Sequence, residues 1–273
     1  MSTSPETGRA AADFDRTTAV EAIGGGAYRG TIDPGWFGPP GPNGGFIAAL
    51  VLRAIRAEVS DAERLPRSLT LHYLRPPAEG EATIEVLIER SGRSATSCSA
   101  TMRQHGKVTT LALCVLSVDY EGIADWEPEA PVAPRPAEVA ELELGAGAPP
   151  LFEQLETRPV FGSPPFSSGP EALTGGWLRA RGDGELTPEL IALYTDAWWP
   201  APFSRLDGPS AAPTLELTIH FRAQPAPGER HALVRFRSEA SIGGLFDEGG
   251  EVWSEGGRLL AQSRQLALLR PLK

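Results

Sequence analysis

Apolar and polar residues alternate strictly through Thr214-Leu215-Glu216-Leu217-Thr218-Ile219-His220-Phe221, with the apolar side chains at the odd positions. Alternation with period two marks a β-strand that buries one face. Leu69-Thr70-Leu71-His72-Tyr73 carries the same pattern 148 residues before Leu217-Thr218-Ile219-His220-Phe221. Further strands are predicted near 67–75, 81–90, 94–104 and 107–117, with shorter ones over 27–32 and 177–181. Between them the spacing predicts a helix over about 45–59. A second helix is predicted from the N-cap Thr187 and Pro188 at its first position to about Trp198, where Pro200 and Pro202 end it.

These elements fall into two copies of one unit. Gly80-Glu81 matches Gly228-Glu229 at the same offset of 148, and Gly106-Lys107-Val108 matches Gly257-Arg258-Leu259 at 151. Upstream, Phe46-Ile47-Ala48-Ala49-Leu50 stands opposite Leu190-Ile191-Ala192-Leu193 at about 144. Ordered matches with small drift indicate duplication. One helix and a run of antiparallel strands per copy predict an α+β fold, a sheet wrapped around the helix in each copy. The copies are expected over 20–120 and 171–273, joined by a Pro/Ala/Gly-rich linker over 121–170.

The formal charge of −10 argues against nucleic acid as a partner and gives no long-range attraction for an anionic substrate. No apolar run approaches the roughly 20 residues of a membrane helix, so membrane insertion is not expected. Asp13, Asp15 and Arg16 stand where a secretion signal needs an apolar run, which makes a cytoplasmic location the expectation. Cys98 and Cys114 lie symmetrically about the turn at His105-Gly106 and read as neighbouring free thiols. No Cys/His spacing suggests a metal site, and no cofactor is expected.

Residues needed by the fold recur in both copies, so polar residues confined to one copy are candidates for chemistry. Three stand out: Asp196, which falls near Leu52; Thr214, which falls on Pro66; and Gln265, which falls on Cys114. Asp196 borders the helix's apolar stripe, where an exposed surface carboxylate and a catalytic one are equally compatible with the pattern. Thr214 is also an ordinary strand residue. Gln265 shares a strand face with Ala261, Ser263 and Ala267, where a buried amide needs partners, structural or catalytic. His72 and His220 recur at equivalent positions and read as fold or interface residues.

The chain resembles the double-hotdog acyl-CoA thioesterases of the thioesterase II type. Asn43-Gly44-Gly45-Phe46-Ile47-Ala48-Ala49 is similar to the glycine pair that opens that family's first helix. Ser68 to Pro76 and Glu89-Arg90-Ser91-Gly92-Arg93-Ser94 are similar to its next strand and its Arg-containing hairpin. The family's Asp, Thr and Gln fall on Asp196, Thr214 and Gln265, the three positions already isolated. The pattern departs at Glu216-Leu217, where a histidine is often found.

The resemblance implies a double hotdog fold, one site per chain, acyl-CoA as substrate, and a homodimer or higher homo-oligomer. Its chemistry would be hydrolysis to a carboxylic acid and coenzyme A by a water that Asp196 deprotonates while Thr214 and Gln265 hold it. Backbone N–H groups of Gly44 and Gly45 are candidates for an oxyanion site, with a tight turn as the alternative reading. Arg90 and Arg93 are candidates for the coenzyme A phosphates, with a solvated turn as the alternative. Two other functions fit the same fold. One is a non-catalytic acyl-CoA or lipid-binding module; the other is an enoyl-CoA hydratase, which usually needs an Asp and a His close together before the helix, and no such pair precedes either helix here.

Overall fold

The computed structural model describes residues 13–39, 41–182 and 184–272. The first module contains β1 (Glu21–Gly24), β2 (Ala27–Ile32), α1 (Gly44–Val59), β3 (Leu65–Tyr73), β4 (Gly80–Ser91), β5 (Ala95–Gln104) and β6 (Lys107–Ser117). The second contains β7 (Leu155–Gly162), β8 (Leu173–Ala180), α2 (Pro188–Tyr194), β9 (Thr214–Phe221), β10 (Ala232–Arg237), β11 (Leu245–Ser254) and β12 (Leu259–Leu268). These strands belong to one 13-stranded sheet in the order β1-β2-β4-β5-β6-β3-β9-β12-β11-β10-β8-β7, with the short strand Ser241–Ile242 pairing β11.

The order reads the same way outward from the β3/β9 seam in both directions, as duplication requires. β3 and β9 run antiparallel, and Thr70 faces Thr218 with their hydroxyls 3.0 Å apart. These two residues are repeat equivalents, so a pseudo-twofold axis passes between them. Leu69, Leu71, Leu217 and Ile219 point inward from the seam and are buried. His72 and His220 point outward and are exposed.

α1 is apolar on nearly every side, the signature of a helix enclosed by protein; Phe46, Ile47, Leu50, Leu52 and Ile55 are all buried. Asn43 caps it, accepting from the Phe46 N–H at 2.9 Å. α2 begins as expected, with Thr187 accepting from the Leu190 N–H at 3.2 Å and Pro188 at the first position. It ends at Tyr194, short of the expected Trp198. The Thr195 N–H is shared between Ile191 O and Ala192 O, and the Asp196 N–H reaches Leu193 O at 3.1 Å. This tightening turns the chain out of the helix at the candidate carboxylate.

Residues 121–170, expected to be linker throughout, contribute a strand. β7 pairs with β8, and a register shift at Gly175/Gly176 accommodates Pro159. β7 is an edge strand, so the N–H that proline lacks removes no second ladder. The preceding segment packs on the outer face of the second module, where Ala130, Ala133 and Val139 meet Trp177, Leu233, Trp253 and Leu259. Cys98 and Cys114 face each other across β5 and β6 as free thiols.

The two helices lie against each other in opposite directions. Near the start of α1 the contact is very close: a Cβ on Gly45 would sit 2.4 Å from the Leu193 carbonyl oxygen. At the other end, Arg56 pairs with the buried Glu189 at 2.6 Å. Gly45→Ala is therefore expected to lower stability by about 1–3 kcal/mol through overpacking, read from the urea midpoint at unchanged slope.

Candidate active site

A cavity of about 1000 Å³ opens where the start of α1, the end of β3, the 142–152 segment and the chain after α2 converge. Its wall is largely apolar, with Ile47, Phe152, Phe161, Trp198, Trp199 and Phe203 among its side chains. Trp198 and Trp199 are in ring contact at 4.7 Å, and Phe152 reaches Trp199 at 6.4 Å. Such a surface suits an acyl chain more than a polar ligand. Among the described residues no helix is long and apolar enough to cross a membrane.

Asp196 and Thr214 both line this cavity. Asp196 comes from the second module, yet among the described residues the hydrogen bonds given to its carboxylate come from the first. Its Oδ2 accepts from Gly45 N–H at 3.1 Å and from Asn43 Nδ2 at 3.0 Å, and the Gly44 N–H also donates to the carboxylate. Asn43 Nδ2 further donates to the Asp196 carbonyl at 2.6 Å. Burial raises the carboxyl to about 6, against the pull of Gly45, Gly44 and Asn43, which favour the charged form. A carboxylate at a helix N-terminus also meets the positive end of the peptide dipoles. Glycine at 44 is a steric condition: a Cβ there would lie 2.9 Å from Asp196 Oδ2.

Thr214 Oγ1 donates to Gln265 Oε1 at 3.1 Å. Gln265 is buried behind it, and its Nε2 donates to Glu248 Oε1 at 2.7 Å. The other oxygen of Glu248 accepts from the Ala201 N–H. Tyr73 lines the cavity beside Asp196; its hydroxyl donates to Gly44 O at 2.8 Å, and burial, then the charges of Asp196 and Glu216, push its phenol up. It stays protonated and holds the glycine turn.

The structure thus joins Thr214 to Gln265 and brings Asp196 to the same cavity. The Gly44 and Gly45 N–H groups, expected to face an oxyanion, are directed at the Asp196 carboxylate. Arg90 and Arg93 are exposed and line no part of the cavity; their hairpin is held by Arg64, which donates to Gly92 O at 2.7 Å. Arg75 and Arg270 line the cavity instead. Neither was singled out from sequence, nor were Asn43, Tyr73 and Glu248. Glu248 had a readable signal: it shares the buried phase of its strand with Phe246, Gly250 and Val252.

A model of the acyl-CoA thioesterase N-terminal domain matches residues 32–117, and a model of the acyl-CoA thioesterase C-terminal domain matches residues 127–269. The chain belongs to the acyl-CoA thioesterase family. Its break between domains falls at 117–127, between β6 and the segment that covers the second module. The thioesterase has the double hotdog fold. A hot dog fold protein of unknown function from Alicyclobacillus acidocaldarius is 30% identical, with a TM-score of 0.86 over 95% of this chain and 98% of that one. The tesB protein of Mycobacterium avium subs paratuberculosis (21% identity, TM-score 0.78, 94% and 98% covered) shares the fold. So does the acyl-CoA thioesterase II TesB2 of Mycobacterium marinum (20%, 0.75, 96% and 99%). No curated protein matches the sequence. As a member of this family the thioesterase hydrolyses acyl-CoA thioesters.

The hydrogen bonds to Asp196 give its titration a definite sign. Asn43→Ala removes a donor that favours the ionised form, so the Asp196 carboxyl should titrate above about 6. Carboxyl-carbon NMR of parent and variant measures this directly. The lost N-cap should also cost about 1 kcal/mol of stability.

Proposed function

We propose that Asp196 is the general base of thioester hydrolysis and that Thr214, backed by Gln265, holds the attacking water. The carrying observation is a carboxylate with a pKa of about 6 on the wall of an apolar cavity that Thr214 also lines. A base in this range is ionised at neutral pH, yet stronger than an ordinary aspartate. Water transfers one proton to Asp196 and keeps the other, which it hydrogen-bonds to Thr214 Oγ1, while its lone pair attacks the thioester carbon and the carbonyl oxygen takes the negative charge. The carbon–sulfur bond then breaks, and the thiolate of coenzyme A leaves with a proton returned from Asp196.

The α1 N-terminus has two tasks in sequence. Before attack its N–H groups hold the charge on Asp196. As the proton moves to Asp196, negative charge moves to the thioester oxygen, and the same helix dipoles stabilise it there. Arg75 and Arg270, at the cavity, are the proposed phosphate contacts, a local attraction that the overall charge of −10 does not provide.

Hydrolysis of a panel of saturated acyl-CoAs, followed by thiol release, tests this reading. Asp196→Asn keeps the shape but cannot accept the proton, and kcat should fall about 100-fold or more with the fold intact. A variant that hydrolyses at the parent rate eliminates Asp196 as base. In the parent, kcat/KM should fall to its acid limit as pH drops through about 6, because the protonated Asp196 is the inactive form. Charge removal at Arg75 and Arg270 together should raise KM and spare kcat; an unchanged KM would place the phosphates elsewhere.

A further inference from the structure

We propose that Glu248 is a positioning residue: it fixes the direction of the Thr214–Gln265 hydrogen bond and, through it, the orientation of the attacking water. This rests on the reading of Asp196 and Thr214 just given.

The direction follows from donor and acceptor chemistry. Glu248 is 4% exposed and stands opposite Gln265 in the β11/β12 register. One of its oxygens takes the Ala201 N–H, which can only donate. The other takes Gln265 Nε2 at 2.7 Å. An ionised carboxyl accepts on both sides; an amide in its place cannot. With its NH₂ committed to Glu248, Gln265 must present its carbonyl to Thr214, and the single hydroxyl proton of Thr214 is spent there. Only the lone pairs of Thr214 then remain for water. Water held between Asp196 and Thr214 therefore donates both protons and keeps a lone pair for the thioester. The reverse direction would aim the Thr214 hydroxyl proton at the water oxygen and cap that lone pair.

The repeat supplies an independent observation. In the first module Leu69 faces Cys114, which faces Cys98. In the second, Leu217 faces Gln265, which faces Glu248. The fold therefore tolerates two small, uncharged thiols at these positions, and only the module carrying Asp196 and Thr214 has the carboxyl–amide pair. A carboxyl at this depth is costly to ionise. Arg264 on the neighbouring strand pairs with Asp247 at 2.9 Å, not with Glu248. Burial, and then the charges of Asp196 and Asp247, push Glu248 up to about 8, against the Ala201 and Gln265 hydrogen bonds. Tyr73, which stays protonated, also stands beside Asp196, and the charge of Glu216 acts on it as well. When protonated, Glu248 becomes a donor toward Gln265 and reverses the chain, so its ionised form is the productive one.

The test compares the parent, Asp196→Asn, Glu248→Gln and the exchange Glu248→Gln/Gln265→Glu on the best-hydrolysed member of the saturated acyl-CoA panel. In Glu248→Gln, the Ala201 N–H forces the new amide oxygen toward itself, so its NH₂ faces residue 265 and the chain reverses. The kcat should fall about 10- to 100-fold, the scale of a misaligned reactant, with KM within about twofold. The alkaline rise in kcat that accompanies Glu248 ionisation should vanish. The exchange variant restores the direction, since the carboxylate at 265 accepts from both the amide at position 248 and the Thr214 hydroxyl. It should recover at least about fivefold in kcat, a gain that restored alignment permits. Parent kcat in Glu248→Gln overturns the proposal, as does a folded exchange variant no faster than the single one. Should Glu248→Gln fail to fold, the exchange decides alone: activity within about tenfold of the parent supports the proposal, and a folded but inactive protein overturns it. Asp196→Asn at the parent rate removes the base reading itself, whereas an inactive Asp196→Asn beside an unaffected Glu248→Gln removes only the inference about Glu248.

Discussion

One interaction organises the molecule: the Asp196 carboxylate of the second module seated on the N-terminus of α1 in the first. Gly45 N–H at 3.1 Å and Asn43 Nδ2 at 3.0 Å reach it across the module boundary. It accounts for the glycine pair, because any side chain at 44 would meet the carboxylate and any at 45 would meet the Leu193 backbone. It coincides with the early end of α2, where the Thr195 and Asp196 N–H groups turn back to the Ile191, Ala192 and Leu193 carbonyls. It also ties the site to the joining of two modules, since neither module alone contains both the carboxylate and its donors.

The sheet is nearly symmetric about Thr70 and Thr218, but the helix contact is not. The opposite end of the helix pair brings the α2 N-terminus toward α1, where a second site could have formed. Pro188 has no N–H to offer there, and Arg56 closes the position onto Glu189 at 2.6 Å. Duplication thus made two equivalent corners, one now an ion pair and the other a carboxylate seated on backbone N–H groups. The outer faces differ as well. Residues 130–139 cover Trp177 and Trp253 in the second module, while Leu87, Leu113 and Val115 remain exposed on the first.

Strand alternation and the repeat were strong enough signals to place β2, α1 and the four following strands within two residues of their observed bounds. The repeat comparison also isolated Asp196, Thr214 and Gln265, which end on one cavity or one hydrogen-bonded chain. The missed features share a cause. β7 lay hidden because Pro159 and Gly162 read as turn residues, and only pairing with β8 overrides that local preference. Asn43 caps α1, and its second role, as a donor to Asp196, depends on a residue 153 positions away. Arg90 and Arg93 carry the right charge for phosphate, but charge alone says nothing about which end of a strand faces the cavity.

The two carboxyls of the site ionise at different pH, and burial, hydrogen-bond donors and neighbouring charge set the order. Both Asp196 and Glu248 are raised by burial. Asp196 receives two backbone N–H groups and an amide at a helix terminus, which hold it near 6. Glu248 receives one backbone N–H and one amide, and feels the charge of Asp196 as well, which carries it to about 8. Asp196 therefore ionises first, and its charge makes Glu248 harder to ionise, so the two titrate as a coupled pair. Depth, donor number and the charge of Asp196 together set the two carboxyls apart: Asp196 is half-buried with three donors, and Glu248 is buried with two.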